Sequence, residues 1–224
     1  MQILTSIIRF PEISLLTRDA HKLRGYFGGL FEKHSPLLHN HFDDGSLVFK
    51  YPLVQYKVLK NIPILVGLNE GAELLTSLFL QIKELKIEDK IYTVNYKNIE
   101  NKKVEVGVRD DLFAYEFETL WMGLNQKNHF AYNILRKEND YESINDLFKS
   151  ILKGNILSFF KSINYTETER INVLPELLNK TTKFKGIDMI AFEGHFTANV
   201  LLPEYIGLGK SVSRGFGTIV KIHN

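Results

Sequence analysis

Hydrophobic spacing along the first hundred residues switches between two periods in a fixed order, and that order leaves few folds open. Ile3 to Phe10 alternate in the manner of a strand ended by Pro11, and Leu16, Ala20, Leu23, Phe27 and Leu30 then recur at helical spacing, predicting a helix over 15–32. Leu47 to Val58 and Ile62 to Leu68 predict two strands joined by a short turn near Lys60-Asn61. Asn69, as a cap, and the apolar face Leu74, Leu75, Leu78, Phe79, Ile82 and Leu85 predict a second helix. Tyr92 to Tyr96 and Val104 to Val108 read as strands separated by a turn at 98–102. Strand, helix, strand, strand, helix, strand is the ferredoxin-like plan.

The plan returns after Arg109. Leu112 to Leu120 reads as a strand and Asn128 to Arg136 as a helix. Ser143-Ile144-Asn145-Asp146 looks like a capped start of a further helix that runs through Phe160, with Gly154 as an irregularity. Strands follow near 171–178 and 187–202. The expected fold class is therefore α+β, two tandem ferredoxin-like (RRM-like) domains over 1–108 and 109–224.

Composition narrows the function. The 224 residues include no cysteine, which excludes disulfides, thiolate zinc sites and cysteine nucleophiles. A formal net charge of +2 is too mild to announce a nucleic-acid binder, so only a local basic face could do so. No apolar run reaches the ~18 residues of a membrane helix, and Met1-Gln2-Ile3-Leu4 has no signal-peptide character, so a cytoplasmic location is expected.

Three features carry chemistry. The tail reads Gly207-Leu208-Gly209-Lys210-Ser211-Val212-Ser213-Arg214-Gly215-Phe216-Gly217, with no acid after Glu204. Glycines permit close backbone approach, and the basic and hydroxyl side chains suit a phosphate. It is not a P-loop, because Glu204 stands where the first glycine is needed, nor a Rossmann turn, because Val212 stands at the third glycine position and a strand, not a helix, follows. The plain alternative is a glycine-punctuated turn before a terminal strand.

The second feature is His39-Asn40-His41, whose imidazoles share a side in an extended segment. Metal ligation with Asp43 or Asp44, general acid/base work, and solvent-facing loop histidines all remain open. No partner is evident for His21, His129, His195 or His223. The third is a stretch where Tyr51 and Tyr56 interleave with Lys50 and Lys57, suited to stacked bases and phosphates or to ordinary strand packing.

Together the tail, Leu37-Leu38-His39-Asn40-His41, Tyr51-Pro52-Leu53-Val54-Gln55-Tyr56-Lys57, Val66-Gly67-Leu68-Asn69-Glu70-Gly71 and Gly154-Asn155-Ile156-Leu157-Ser158 resemble the b-type branch of the Cas-six endoribonucleases, RAMP-superfamily proteins that cut CRISPR precursor RNA within each repeat. The resemblance implies cleavage without metal or cofactor, by attack of a ribose 2′-hydroxyl, leaving a 2′,3′-cyclic phosphate and a 5′-hydroxyl. It implies His39 and His41 as base and acid, Tyr51 for positioning or proton transfer and Lys57 for charge stabilisation. RNA-backbone contacts fall to Lys50, Gly207, Gly209, Lys210, Ser211, Ser213, Arg214, Gly215 and Gly217. The implied partner is CRISPR repeat RNA, with room for other CRISPR-associated proteins and a homodimer. The competing readings are a RAMP subunit that binds RNA without cutting it and a metal-dependent phosphodiesterase.

Overall fold

The computed structural model describes residues 1–30, 51–184 and 186–223. His34, His39, His41 and Lys50 lie outside them, as do Asp43 and Asp44. The chain forms two compact units, Met1–Glu105 together with Val212–Gly215, and Val106–Ser211 together with Phe216–Asn224. The division after residue 108 expected from sequence thus differs by three residues, and the glycine-rich tail is shared between the units instead of belonging to the second alone. No described helix is long and apolar enough to cross a membrane.

In the first unit, β1 (Gln2–Arg9), α1 (Ala20–Leu30), β2 (Val54–Leu59), β3 (Ile62–Leu68) and α2 (Glu70–Leu78) follow in order. A hairpin of β4 (Glu84–Ile87) and β5 (Lys90–Thr93) intervenes before β6 (Asn98–Glu105). The main sheet has the order β2-β3-β1-β6, all antiparallel, which is the ferredoxin-like arrangement. Lys60 and Asn61, both at positive φ, make the tight turn between β2 and β3. One face of the sheet, through Ile8, Leu65, Val54, Tyr56 and Val58, packs on Leu23, Phe27, Leu75 and Leu78 of the two helices. The other face is buried as well: Gln55 and Lys57 of β2 and Val66 of β3 are shut off from solvent.

The second unit repeats the topology with β7 (Gly107–Phe117), α3 (Gln126–Glu138), α4 (Tyr141–Ser162), β8 (Val173–Phe184), β9 (Ile187–Leu201) and β10 (Ile219–Lys221). Its sheet order is β10-β7-β9-β8, which is the same sequence of first, second, third and fourth strands. Its core centres on Trp121, fully buried, ringed by Phe117, Phe148 and Phe192 with centroids 5.7–6.0 Å away.

Several local expectations are corrected. The first helix begins later than residue 15: Leu16 is exposed and leads into a 3-10 turn, Thr17–Asp19, ahead of α1. β2 starts only at Val54, after Pro52. The second helix stops at Leu78, because Leu85 and Ile87 alternate inward along a strand instead of continuing the helical face. The polar run 98–102 is not a turn but part of β6, an edge strand whose charges pair across to β1 and along itself, Arg9 with Glu100 at 3.3 Å and Lys102 with Glu100. Asn69 does not cap α2 with its side chain, whose Oδ1 accepts from the Leu4 N–H at 3.1 Å; its carbonyl accepts from Ala72 and Glu73. Asp140, not Ser143, caps α4, accepting from the Ser143 N–H at 3.0 Å, and Gly154 lies inside an unbroken 22-residue helix.

Candidate nucleic-acid interface

The glycine-rich tail occupies the link between β9 and β10. Its ends are pinned by the Leu208 N–H donating to Gly217 O at 2.8 Å and the Gly217 N–H donating to Leu120 O at 2.9 Å. Between them the backbone makes one 3-10 turn, Val212–Arg214. Gly209 sits at φ +91°, where a β-carbon would lie 2.8 Å from both the Met122 carbonyl oxygen and the indole Nε1 of Trp121. Gly215, at φ +89°, lies close to the first unit: a β-carbon would meet Ala20 Cβ at 2.9 Å and Tyr56 O at 3.3 Å. The close approaches that these glycines permit are to the protein's own atoms.

The side chains divide by exposure. Lys210 is exposed, and Ser211 and Arg214 are half-buried, so all three can meet a ligand. Gly207, Ser213, Gly215 and Gly217 are buried, and Gly209 is half-buried. A phosphate reaching this segment therefore meets Lys210, Ser211 and Arg214 first.

On β2 the interleaved residues point to opposite faces. Tyr56 is buried in the helix-side core, its ring stacked on Phe27 with centroids 5.9 Å apart, so it is a packing residue and not a platform for bases. Burial raises the Tyr56 phenol above its ordinary range. Lys57 is fully buried on the opposite face, and desolvation pushes its amine down to about 7, so that half of it is neutral near neutral pH. Tyr51 is half-buried and precedes the strand.

The remaining histidines do have partners. His21 Nδ1 lies 2.7 Å from Arg18 O, His195 Nε2 3.3 Å from Glu176, His129 within 3.4 Å of Asn133 and His223 3.6 Å from Glu204. Each contact is local or lies between paired strands, or ties the tail to a nearby acid, and none gathers a second histidine. Among the described residues no three His, Asp or Glu side chains are grouped to hold a metal.

One basic residue escaped the sequence reading. Arg24 of α1 is half-buried and close enough to Arg214 for the two charges to act on each other. Only the chain's return to α1 at Gly215 brings them together, and no spacing signals a contact so distant in sequence.

Both halves of the chain match family models, the Cas6b N-terminal domain over residues 1–105 and the Cas6b C-terminal domain over 107–222. The chain belongs to the Cas6b family. A crystal structure of Cas6b is 37% identical, covers 99% of this chain and 100% of its own, and superposes with a TM-score of 0.92. A second, of the CRISPR RNA processing endoribonuclease Cas6b, is 33% identical over 99% of this chain and 100% of its own, with a TM-score of 0.78. An uncharacterized protein of Methanocaldococcus jannaschii is 36% identical over 146 residues, 65% of this chain and 97% of that protein. A type IV Cas6 crRNA endonuclease, 13% identical with a TM-score of 0.56 over the full length of both chains, shares the tandem ferredoxin-like fold.

Proposed function

We propose that this Cas6b chain is a CRISPR RNA-processing endoribonuclease that cuts precursor RNA within its repeats. The observation that carries the reading is the full-length likeness to a Cas6b that processes CRISPR RNA, spanning both ferredoxin-like units. In the proposed reaction a base removes the ribose 2′ proton, the 2′ oxygen attacks the adjacent phosphorus, and the P–O5′ bond breaks as an acid protonates the leaving 5′ oxygen. The products are a 2′,3′-cyclic phosphate and a 5′-hydroxyl, and no water or metal enters the balance. His39 and His41, an imidazole pair on one short segment, are assigned the base and acid, with Tyr51 positioning the strand. A phosphate drawn near Lys57 would favour its charged form, so the buried amine would gain a proton as charge builds on phosphorus, once its cover has opened. Lys210 and Arg214 hold the RNA backbone.

The test is incubation of the protein with its repeat RNA, with and without chelator, followed by identification of the product ends. Cleavage that persists in chelator and leaves cyclic phosphate is expected, and a 2′-deoxy sugar just upstream of the cut should bind uncut. Metal-dependent cleavage would overturn the mechanism, and binding without any cleavage would return the chain to a non-cutting RAMP subunit. His39→Ala and His41→Ala should each slow single-turnover cleavage by ~10²–10⁴ with RNA affinity retained. Wild-type rates in both variants would remove the pair from the chemistry.

A further inference from the structure

Helix α3 places large apolar side chains on two opposite sides. Tyr132 turns inward, buried against Phe148 and Phe192 with centroids 5.8 and 5.5 Å away, and its hydroxyl accepts from Asn179 of β8 at 2.8 Å. Phe130 stands ~160° around the helix from it and is 69% exposed, and Ile134 is 40% exposed. Lys127, Phe130, Ile134 and Lys137 fall within an arc of ~80°, so they form one stripe on the outward face, the apolar pair between two cations. A single exposed hydrophobic is ordinary on any protein; a framed pair is not. Three cations against one acid give this 13-residue helix a formal charge of +2, equal to that of the whole chain. Other lysines are held by carboxylates, Lys149 by Asp146 at 2.8 Å and Lys180 by Glu193 at 2.9 Å. Among the described residues Lys127, Arg136 and Lys137 meet no carboxylate within ion-pair distance. Beside the stripe, Asn133, Arg136 and Lys137 line an open recess of ≈ 410 Å³, a volume within the range of small-ligand sites.

The stripe continues from the tail within the second unit. The Lys210 N–H donates to Met122 O at 2.9 Å, and Met122 stands five residues ahead of Lys127, hence no more than ~18 Å from it. The unmatched cations call for an anionic partner, and the exposed ring between them favours one that carries flat faces. Single-stranded RNA supplies both, bases for Phe130 and phosphates for the lysines. An acidic protein segment would match the charge but gain nothing from a ring over an aliphatic side chain at 130. We propose that the outer stripe of α3 is a second RNA-contact surface, where an unpaired base stacks on Phe130 and Lys127 and Lys137 take flanking phosphates. The proposal rests on the RNA-processing reading above and carries the strand from Lys210 along α3. Lys127 and Lys137 stand ~15 Å apart along the helix axis, so each serves a different phosphate.

The test uses the full chain and labelled repeat RNA in binding titrations across a salt series, with the RNA checked intact on a denaturing gel. Phe130→Ala should weaken binding about tenfold, as loss of one base stack does, and leave the salt slope unchanged because no charge is removed. Phe130→Leu keeps the apolar bulk without the π face and should bind as poorly as Phe130→Ala, whereas Phe130→Trp should bind at least as well as wild type. Lys127→Gln combined with Lys137→Gln should lower the salt slope by ~1.4, for two lost phosphate contacts. All these side chains face solvent, so each variant should melt with wild type. Wild-type affinity in Phe130→Ala or Phe130→Leu would overturn the stacking site and hand the stripe to an acidic protein segment, and an unchanged slope in the double lysine variant would remove the phosphate contacts. If wild type binds no repeat RNA, the functional reading fails, and a thiouridine-substituted oligouridine then decides this one. Photocrosslinking of that probe to α3 in wild type but not in Phe130→Ala supports the surface, and no crosslink there, or equal crosslinking in both, sinks it.

Discussion

The two units share a strand order and differ in what joins their third strand to their fourth. In the first, β3 passes into α2, which satisfies its own backbone through intrahelical hydrogen bonds. In the second, residues 202–218 join β9 to β10 with only a 3-10 turn, and the backbone borrows partners elsewhere: Lys210 N–H donates to Met122 O at 2.9 Å, and Gly217 N–H to Leu120 O. A helix in this place would bury one face and solvate the other. The loop brings Gly209 against Trp121, and Lys210, Ser211 and Arg214 stay where solvent reaches them. The comparison teaches that glycines at positive φ let a helix-free link pack closely, and that Lys210, Ser211 and Arg214 within it keep contact with solvent.

Three substitutions sharpen or break this contrast. Gly209→Val should have the largest effect, a destabilisation on the order of 3 kcal/mol in urea unfolding, since it combines a positive φ with the Trp121 approach. A loss below ~1 kcal/mol would mean the loop lifts away from Trp121 at little cost.

Lys57→Met tests the first unit and should act through pH. The folded amine titrates at about 7, well below its unfolded value, so the cost of burying its charge is full below pH 7, shrinks from there toward 10.5 and is gone above. The variant should therefore melt higher than wild type by about 3 °C at pH 6.5, with the gain fading by pH 10. A pH-independent difference would show that packing, not charge, dominates at this position.

Gly154→Ala, the counterpart of the first substitution, should stabilise by ~0.5–1 kcal/mol, because this glycine is exposed inside α4 with open space where a β-carbon would stand. Destabilisation there would require a contact that is absent among the described residues.

Both ferredoxin-like passes were legible from hydrophobic period, and β1, β3 and the β2–β3 turn fall where alternation and Lys60-Asn61 place them. The misses share a cause. Ile82 and Leu85 fit a helical face as well as a strand, and only the pairing of Glu84–Ile87 with Lys90–Thr93 decides between them. The run 98–102 looked like a turn because an edge strand tolerates the polar residues that turns favour. Asn69 had the chemistry of a cap, but its side-chain oxygen accepts from the Leu4 N–H of β1 instead, a choice made by tertiary structure. At the candidate interface, lysines and arginines were visible by type, whereas burial was not: Lys57 reads as a surface lysine until both faces of β2 are covered. The Arg24–Arg214 pairing has no local signature at all.

Val212–Gly215 also carry a consequence for how the protein is built and broken. β2 is the outermost strand of its sheet, and these four residues, arriving after most of the second unit has been synthesised, come up against its outer margin at Tyr56. A nascent chain that has emerged only as far as residue 105 therefore holds a sheet with an unguarded border, able to recruit a stray strand from another molecule. Closure waits for Val212–Gly215. A chain cut or stalled ahead of Val212 would keep that seam open, which gives the tail a part in finishing the first sheet.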